Sequence, residues 1–251
     1  TSLTVALNDG ANVTILNDDS ASLAIDNVFV NEGSGGATTN FTFTVTLTGE
    51  VDAPFTVDYN TTNITATAGV DYTAANGTLN FAGTNGETQI FTVDVVGDDI
   101  VELSESFAAI LSNLQAGGRP ITLPSQGVGT IQNDDEAIIT IRDLNNNISV
   151  SGNEDDGPIT MVVTLDKQID EGFDIRVRSQ AGTADETGVA DYITIDEILT
   201  FTGTAGETMT FTVTPVADQI VEADEDLIVG IFSITSNRFI NIVEQPLVTI
   251  N

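Results

Sequence analysis

Two stretches carry most of the chemistry in this chain. Gly97-Asp98-Asp99-Ile100-Val101-Glu102-Leu103-Ser104-Glu105 returns as Ala217-Asp218-Gln219-Ile220-Val221-Glu222-Ala223-Asp224-Glu225. Carboxylates crowded in this way repel: a pair about 4 Å apart costs roughly 4 kcal/mol at an effective dielectric near 20. The strain is relieved by splaying into water or by taking up a cation. Calcium suits such a loop, because it accepts about 6 to 8 oxygen ligands in irregular geometry, whereas magnesium demands a tight octahedron and keeps its water. The residue types therefore point to a calcium site used twice.

Composition removes most other chemistry. The 38 Asp plus Glu face 6 Lys plus Arg, a net charge of −32, which disfavours nucleic acid and anionic membranes and leaves cations or basic partners. There is no His and no Cys, so thiolate chemistry, the usual zinc ligands and a Ser-His-Asp triad are absent. Ser104 and Ser106 lie beside acids without a base to activate them. A paired-carboxylate glycosidase is allowed by residue type, but no Trp and three Tyr leave little to grip a sugar. The expectation is a protein that is not an enzyme. No apolar run approaches the roughly 18 residues of a membrane span, so direct membrane insertion is not expected, and any export signal or anchor is expected outside this sequence.

The acid loops must be held by strands. Each follows an alternating segment, Phe91-Thr92-Val93-Asp94-Val95 or Phe211-Thr212-Val213-Thr214-Pro215, which puts the acids where a strand ends. Further alternation in Phe41-Thr42-Phe43-Thr44-Val45-Thr46-Leu47, Phe55-Thr56-Val57-Asp58-Tyr59 and Thr78-Leu79-Asn80-Phe81 gives strands with one buried face. Gly35-Gly36, Asn76-Gly77 and Asn85-Gly86 are placed in turns. The fold class is all-β: tandem immunoglobulin-like antiparallel β-sandwiches, with about seven strands in each.

Internal repetition sets the boundaries. Val13-Thr14-Ile15-Leu16-Asn17-Asp18-Asp19 matches Gly129-Thr130-Ile131-Gln132-Asn133-Asp134-Asp135, and Val248-Thr249-Ile250-Asn251 opens the same phrase again. Between these, Asp71-Tyr72 answers to Asp191-Tyr192, and Gly83-Thr84-Asn85-Gly86-Glu87-Thr88 to Gly203-Thr204-Ala205-Gly206-Glu207-Thr208. Residues 20–135 form one expected domain and 136–251 a second, its closing Asp pair missing. Residues 1–19 read as the last two strands of a preceding repeat or as a strand-addition segment. Asp143-Leu144-Asn145-Asn146-Asn147 has partial EF-hand spacing, but Ile148 replaces the turn glycine, which favours a strand-edge loop.

Four phrases recur in order: Val30-Asn31-Glu32-Gly33, Ala68-Gly69-Val70-Asp71-Tyr72, the Asp98 loop, and Asn133-Asp134-Asp135. With them the modules resemble Calx-beta domains, a family named for the calcium-sensing domains of sodium-calcium exchangers and found in tandem in cell-surface proteins. The resemblance implies Ca2+ at one end of each sandwich. In the first module it implies the ligands Glu32, Asp71, Asp98, Asp99, Glu102, Glu105, Asp134 and Asp135. In the second it implies Glu154, Asp191, Asp218, Glu222 and Glu225, a weaker site because Gln219 stands where Asp99 does. A lone Asp-Asp turn is ordinarily a solvated sheet edge; recurrence at four positions favours the metal.

The resulting expectation is a calcium-rigidified structural module of an extracellular or cell-surface stalk, adhesin or fibre of bacterial type. Its partners would be neighbouring modules of the same chain or of a homopolymer. The alternative is a calcium-dependent adhesive module that binds a glycan or protein ligand directly.

Overall fold

Residues 17–184, 190–220, 223–243 and 245–251 are described in a computed structural model. The expected hairpin within residues 1–16, and Glu222, lie outside the described residues. The first sandwich contains β1 (Ala21–Ile25), β2 (Val28–Asn31), β3 (Thr38–Thr48), β4 (Phe55–Asn63) and β5 (Asn76–Phe81). It continues with β6 (Thr88–Val96), β7 (Glu105–Gln115), β8 (Ile121–Thr122) and β9 (Gly127–Gln132). One sheet has the order β6-β3-β1-β8 and the other β2-β9-β7-β4-β5.

The second sandwich repeats this plan with β10 (Ala137–Asp143), β11 (Ser149–Gly152), β12 (Ile159–Leu165), β13 (Phe173–Ala181) and β14 (Asp196–Phe201). Its remaining strands are β15 (Thr208–Val213), β16 (Glu225–Ile234), β17 (Ile240–Ile242) and β18 (Leu247–Ile250). The sheets run β15-β12-β10-β17 and β11-β18-β16-β13-β14. No α-helix occurs among the described residues, and no helix is long and apolar enough to cross a membrane.

Two-residue periodicity builds the layers. In β3, Phe41, Phe43, Val45 and Leu47 are buried while the intervening Thr42, Thr44 and Thr46 face outward. Across the sandwich Phe107 meets Tyr72 at 4.4 Å between ring centroids, with Phe41 at 6.0 Å and Phe43 at 5.9 Å. The second core is largely aliphatic, around Ile139, Ile141, Val163, Val177 and Val229.

The sandwiches are not wholly antiparallel. β1 pairs with β8 and β2 with β9 in parallel, because the first and last strands each cross from one sheet to the other. The first crossing is held at Asp26, whose Oδ1 accepts the Thr44 N–H at 2.8 Å, and at Asn27, whose Oδ1 accepts the Val128 N–H at 2.8 Å. Any side chain at Gly127 would strike the Asp26 carbonyl oxygen at 2.6 Å. These breaks give nine strand segments where alternation alone counts about seven.

Two expected turns differ in kind. Asn76-Gly77 lies inside β5, opposite Asn60 and Tyr59, and a Cβ on Gly77 would meet the Tyr59 ring at 2.8 Å. Its glycine serves close packing rather than a turn. The turn containing Asn85-Gly86 is clamped by Glu87, whose carboxylate accepts the N–H groups of Ala82 at 2.8 Å and Gly83 at 3.0 Å. Those amides hold the Glu87 carboxyl below its ordinary value. Glu207 repeats the clamp on Thr202 and Gly203.

Phe107 is fully buried and meets three other rings of the first core. Phe107→Ala is expected to cost about 3–5 kcal/mol, read as a shift of the first module's urea transition. Tryptic fragments should then report whether the second module stays folded.

Candidate metal centre

The acid loop between β6 and β7 is shaped by its own first carboxylate: Asp98 Oδ1 accepts the Ile100 N–H at 2.7 Å, which turns the chain. Asp218 makes the same bond to Ile220 at 2.6 Å. The turn brings Glu102 beside Asn133, whose Oδ1 accepts the Glu102 N–H at 3.4 Å. Glu32 arrives from the end of β2, its N–H donating to Gln132 O at 3.0 Å and its carbonyl accepting Thr39 Oγ1 at 2.6 Å. Asp134 Oδ1 accepts the Gly33 N–H at 3.2 Å. Ligand oxygens of Glu32, Asp134 and Asp135 come within 4.8 Å of one another.

Burial makes this convergence costly. Glu32 is 3% exposed and Asp135 5%. Glu32 Oε1, Glu105 Oε2 and Asp135 Oδ2 are buried and accept no hydrogen bond, in a setting where an unmet charge is penalised heavily. Burial pushes Glu32 up to about 8, with further repulsion from Glu102, Asp98, Asp135 and Asp134. Burial, then Asp98, Asp71 and Asp170, raise Glu102 to about 7, against the pull of Arg238. Glu105 rises to about 8 through burial and its contact with Asp71. Asp71 in turn holds the loop before Tyr72 by accepting the Thr67 N–H at 2.6 Å.

Seven of the eight first-module candidates thus belong to one mutually repelling group, with Glu32 and Glu102 at its centre. Asp99 sits to the side, where it faces Lys167. Orphaned, hard, anionic oxygens on three converging segments fit a calcium-like ion. Glu32, Asp134 and Asp135 would hold it first, with Asp98, Glu102, Asp71 and Glu105 at hand.

Among the described residues the second module's acids do not converge in this way. Glu154 opens a 3-10 turn, Glu154–Asp156, and its Oε2 accepts the Asp218 N–H at 3.3 Å. Asp191 is 9% exposed, and Glu225 begins β16 half-buried. Asp143, the partial EF-hand match, closes its own loop: Oδ1 accepts the N–H groups of Asn145 at 2.8 Å and Asn147 at 2.7 Å.

Sequence reasoning missed the groups that approach the cluster from the second module. Lys167 Nζ donates to Asp135 Oδ1 at 2.8 Å, and this bond, with Asp99 and Asp166 nearby, holds the ammonium above its usual value. The Val101 N–H donates to Gln168 O at 2.9 Å, and the Asp170 N–H to Val101 O at 3.3 Å. The Val101 side chain, fully buried, packs in the second core. Arg238, paired with Asp170 at 2.6 Å, adds positive charge near Glu102. The available signal was the scarcity of cations, because each of 6 basic residues in so acidic a chain has work to do.

Two immunoglobulin-like sandwiches in tandem, the first ending in an acid cluster that abuts the second, define the class of protein. The chain belongs to the Calx-beta family: the Calx-beta domain matches residues 17–145 and again 132–250. It is similar to sodium/calcium exchanger 2 of rat, mouse and human, 38% identical over an alignment of 104 residues that covers 36% of this chain and 11% of each exchanger. The chain therefore matches only about a tenth of the length of those relatives. Among solved structures it resembles CBD12 from CALX1.2, at 21% identity and TM-score 0.40 over 83% of this chain and 79% of that one. It also resembles the apo-form Calx CBD1 domain, at 27% identity and TM-score 0.40 over 46% of this chain and 98% of that one.

Two outcomes follow from the geometry. Glu102→Gln and Asp134→Asn should each weaken calcium binding about tenfold or more, or 1.4 kcal/mol per factor of ten, while Asp94→Asn, exposed on β6, leaves it unchanged; isothermal calorimetry reads the difference. Glu87→Gln is a poor control because it also loosens a turn.

The pH dependence has a definite sign. Glu32, Glu102 and Glu105 have folded values above their unfolded ones, so the folded state binds more protons between about 4.5 and 8. Stability without added metal should therefore fall as pH rises through that window, whereas calcium affinity rises with it. Thermal melts at pH 5 and pH 8, in chelator and in calcium, check both directions.

Proposed function

We propose that this chain is a calcium-rigidified structural unit of a stalk, adhesin or fibre at the cell surface or outside the cell, with no catalytic role. The observation that carries the proposal is the position of the acid cluster at the junction. Asp135 is both a candidate ligand and the partner of Lys167, while Val101 stands in the acid loop and in the second module's core. A cation drawn to the orphaned oxygens would fix the Asp98 loop and the Asp134-Asp135 segment. Those two pieces set how the second module sits, so an ordered loop means a stiff joint.

The similarity to sodium/calcium exchanger 2 favours a second reading, in which the same joint serves a larger protein as a calcium-responsive element. The readings differ in affinity. Extracellular calcium modules typically work at a Kd of about 0.1–1 mM, whereas a sensor works at about 0.1–10 μM.

If calcium fills this site, saturation at a thousandfold excess over Kd should add about 4 kcal/mol of stability, seen as a higher melting temperature at fixed ionic strength. The same titration yields the Kd that separates the two readings. Equal melting in calcium and in chelator would rule out both.

A further inference from the structure

The surface of the second module that receives the Asp98 loop has a counterpart on the first module. Ile169, 3% exposed, donates its N–H to Gly203 O at 2.8 Å; Val51, 8% exposed, donates to Gly83 O at 2.8 Å. Asp170 pairs with Arg238, and Asp52 with Arg119. The Ala137 N–H donates to Phe239 O, and the Ala21 N–H to Pro120 O, each at 3.0 Å. The connecting segments match as well: Asn133 Nδ2 donates to Asp135 O at 3.0 Å, and Asn17 Nδ2 to Asp19 O at 2.8 Å.

What differs is cover. Beneath the first module, the side chains of Asp170 and Arg238 are 33% and 10% exposed; those of Asp52 and Arg119 are 83% and 35% exposed. An open recess of about 550 Å³ lies at this more exposed face, lined by Asp19, Glu50, Val51, Asp52 and Arg119 among others. The sequence phrase Val13 to Asp19, of which Asn17–Asp19 is described, repeats the strand and linker that lead from the first module into the second.

We propose that the Val51-Asp52-Arg119 face is a docking surface for the acid-loop end of a further Calx-beta module, joined through Asn17-Asp18-Asp19 on the same polypeptide. The docking loop places one apolar residue against Val51. Its N–H donates to the Glu50 carbonyl and its carbonyl accepts the Asp52 N–H, as Val101 does with Gln168 and Asp170. One contact changes. Gly49 occupies the position of Lys167, at φ +92 and with Ala21 Cα 3.1 Å from where a Cβ would stand. This junction has no lysine for the linker acid, so the charge of Asp19 is left to Arg119 or to a cation. The proposal deepens the structural reading by naming a partner, and rests on module-to-module packing rather than on calcium.

The test extends the full chain: a second copy of residues 20–135 replaces residues 1–19, and amide hydrogen exchange is followed by NMR with calcium and with chelator. The Asp52 amide should exchange at least tenfold more slowly than in the 251-residue chain, approaching the Asp170 amide, which reports the existing junction in the same molecule. Protection in calcium alone, or in both conditions, supports the docking. An Asp52 amide as fast as in the unextended chain under both conditions overturns it, whether or not calcium binds. Val101→Asp in the added copy should abolish the protection; persistence would place the contact elsewhere. Concentration-dependent protection in the unextended chain would put a second copy on this face and overturn the same-chain assignment.

Discussion

A carboxylate buried without a donor is the constraint around which the first module is arranged. Glu32 Oε1 has no hydrogen-bond partner, and the backbone holds it there from two sides, through Gln132 O and Thr39 Oγ1. Such a group is tolerable only if the rest of the fold absorbs its cost. The Phe107 ring stack and the alternating faces of β3 and β6 supply that margin. Acid chemistry and apolar core are therefore one problem: the end of the sandwich is kept electrostatically unsettled by a middle that is well packed.

Lys167 shows how the protein limits that repulsion with its own atoms. An ammonium at 2.8 Å from Asp135 settles one carboxylate oxygen and leaves the other bare. Partial compensation of this sort offsets some of the repulsion at Asp135 and leaves the cluster short of positive charge. Arg238 acts at longer range on Glu102. Both cations come from the second module, so the electrostatics of one sandwich are set partly by another.

The strands and the two-sheet architecture were legible in the sequence because burial imposes a strict period of two, as in Phe41-Thr42-Phe43 and Phe91-Thr92-Val93. The grouping of Glu32 with Asp134 and Asp135 could be approached from recurring phrases, since each caps a strand at the same end. The crossing at Asp26-Asn27 was not legible. It depends on side chains bonding to backbone N–H groups of distant strands, Thr44 and Val128, and leaves no periodic trace. Reading an Asn-Gly pair as a turn failed at Asn76-Gly77 for a similar reason: the glycine answers to the Tyr59 ring across the sheet, not to its neighbours in sequence. Lys167 meets Asp135 only because two modules touch, and local pattern contains no information about that contact.

Val101 belongs by sequence to one sandwich and by burial to the other. A boundary drawn through the covalent chain at the Asp pair therefore does not coincide with the boundary between the two buried cores. In arrays of this kind each unit's free energy contains a nearest-neighbour coupling, and here the contacts that can carry it include the Val101 side chain, two backbone bonds and the Lys167–Asp135 ion pair. Excising the second unit at the Asp pair leaves its core without Val101, whereas the first core holds only its own residues. The smallest thermodynamically complete piece of such a chain is larger than its repeat.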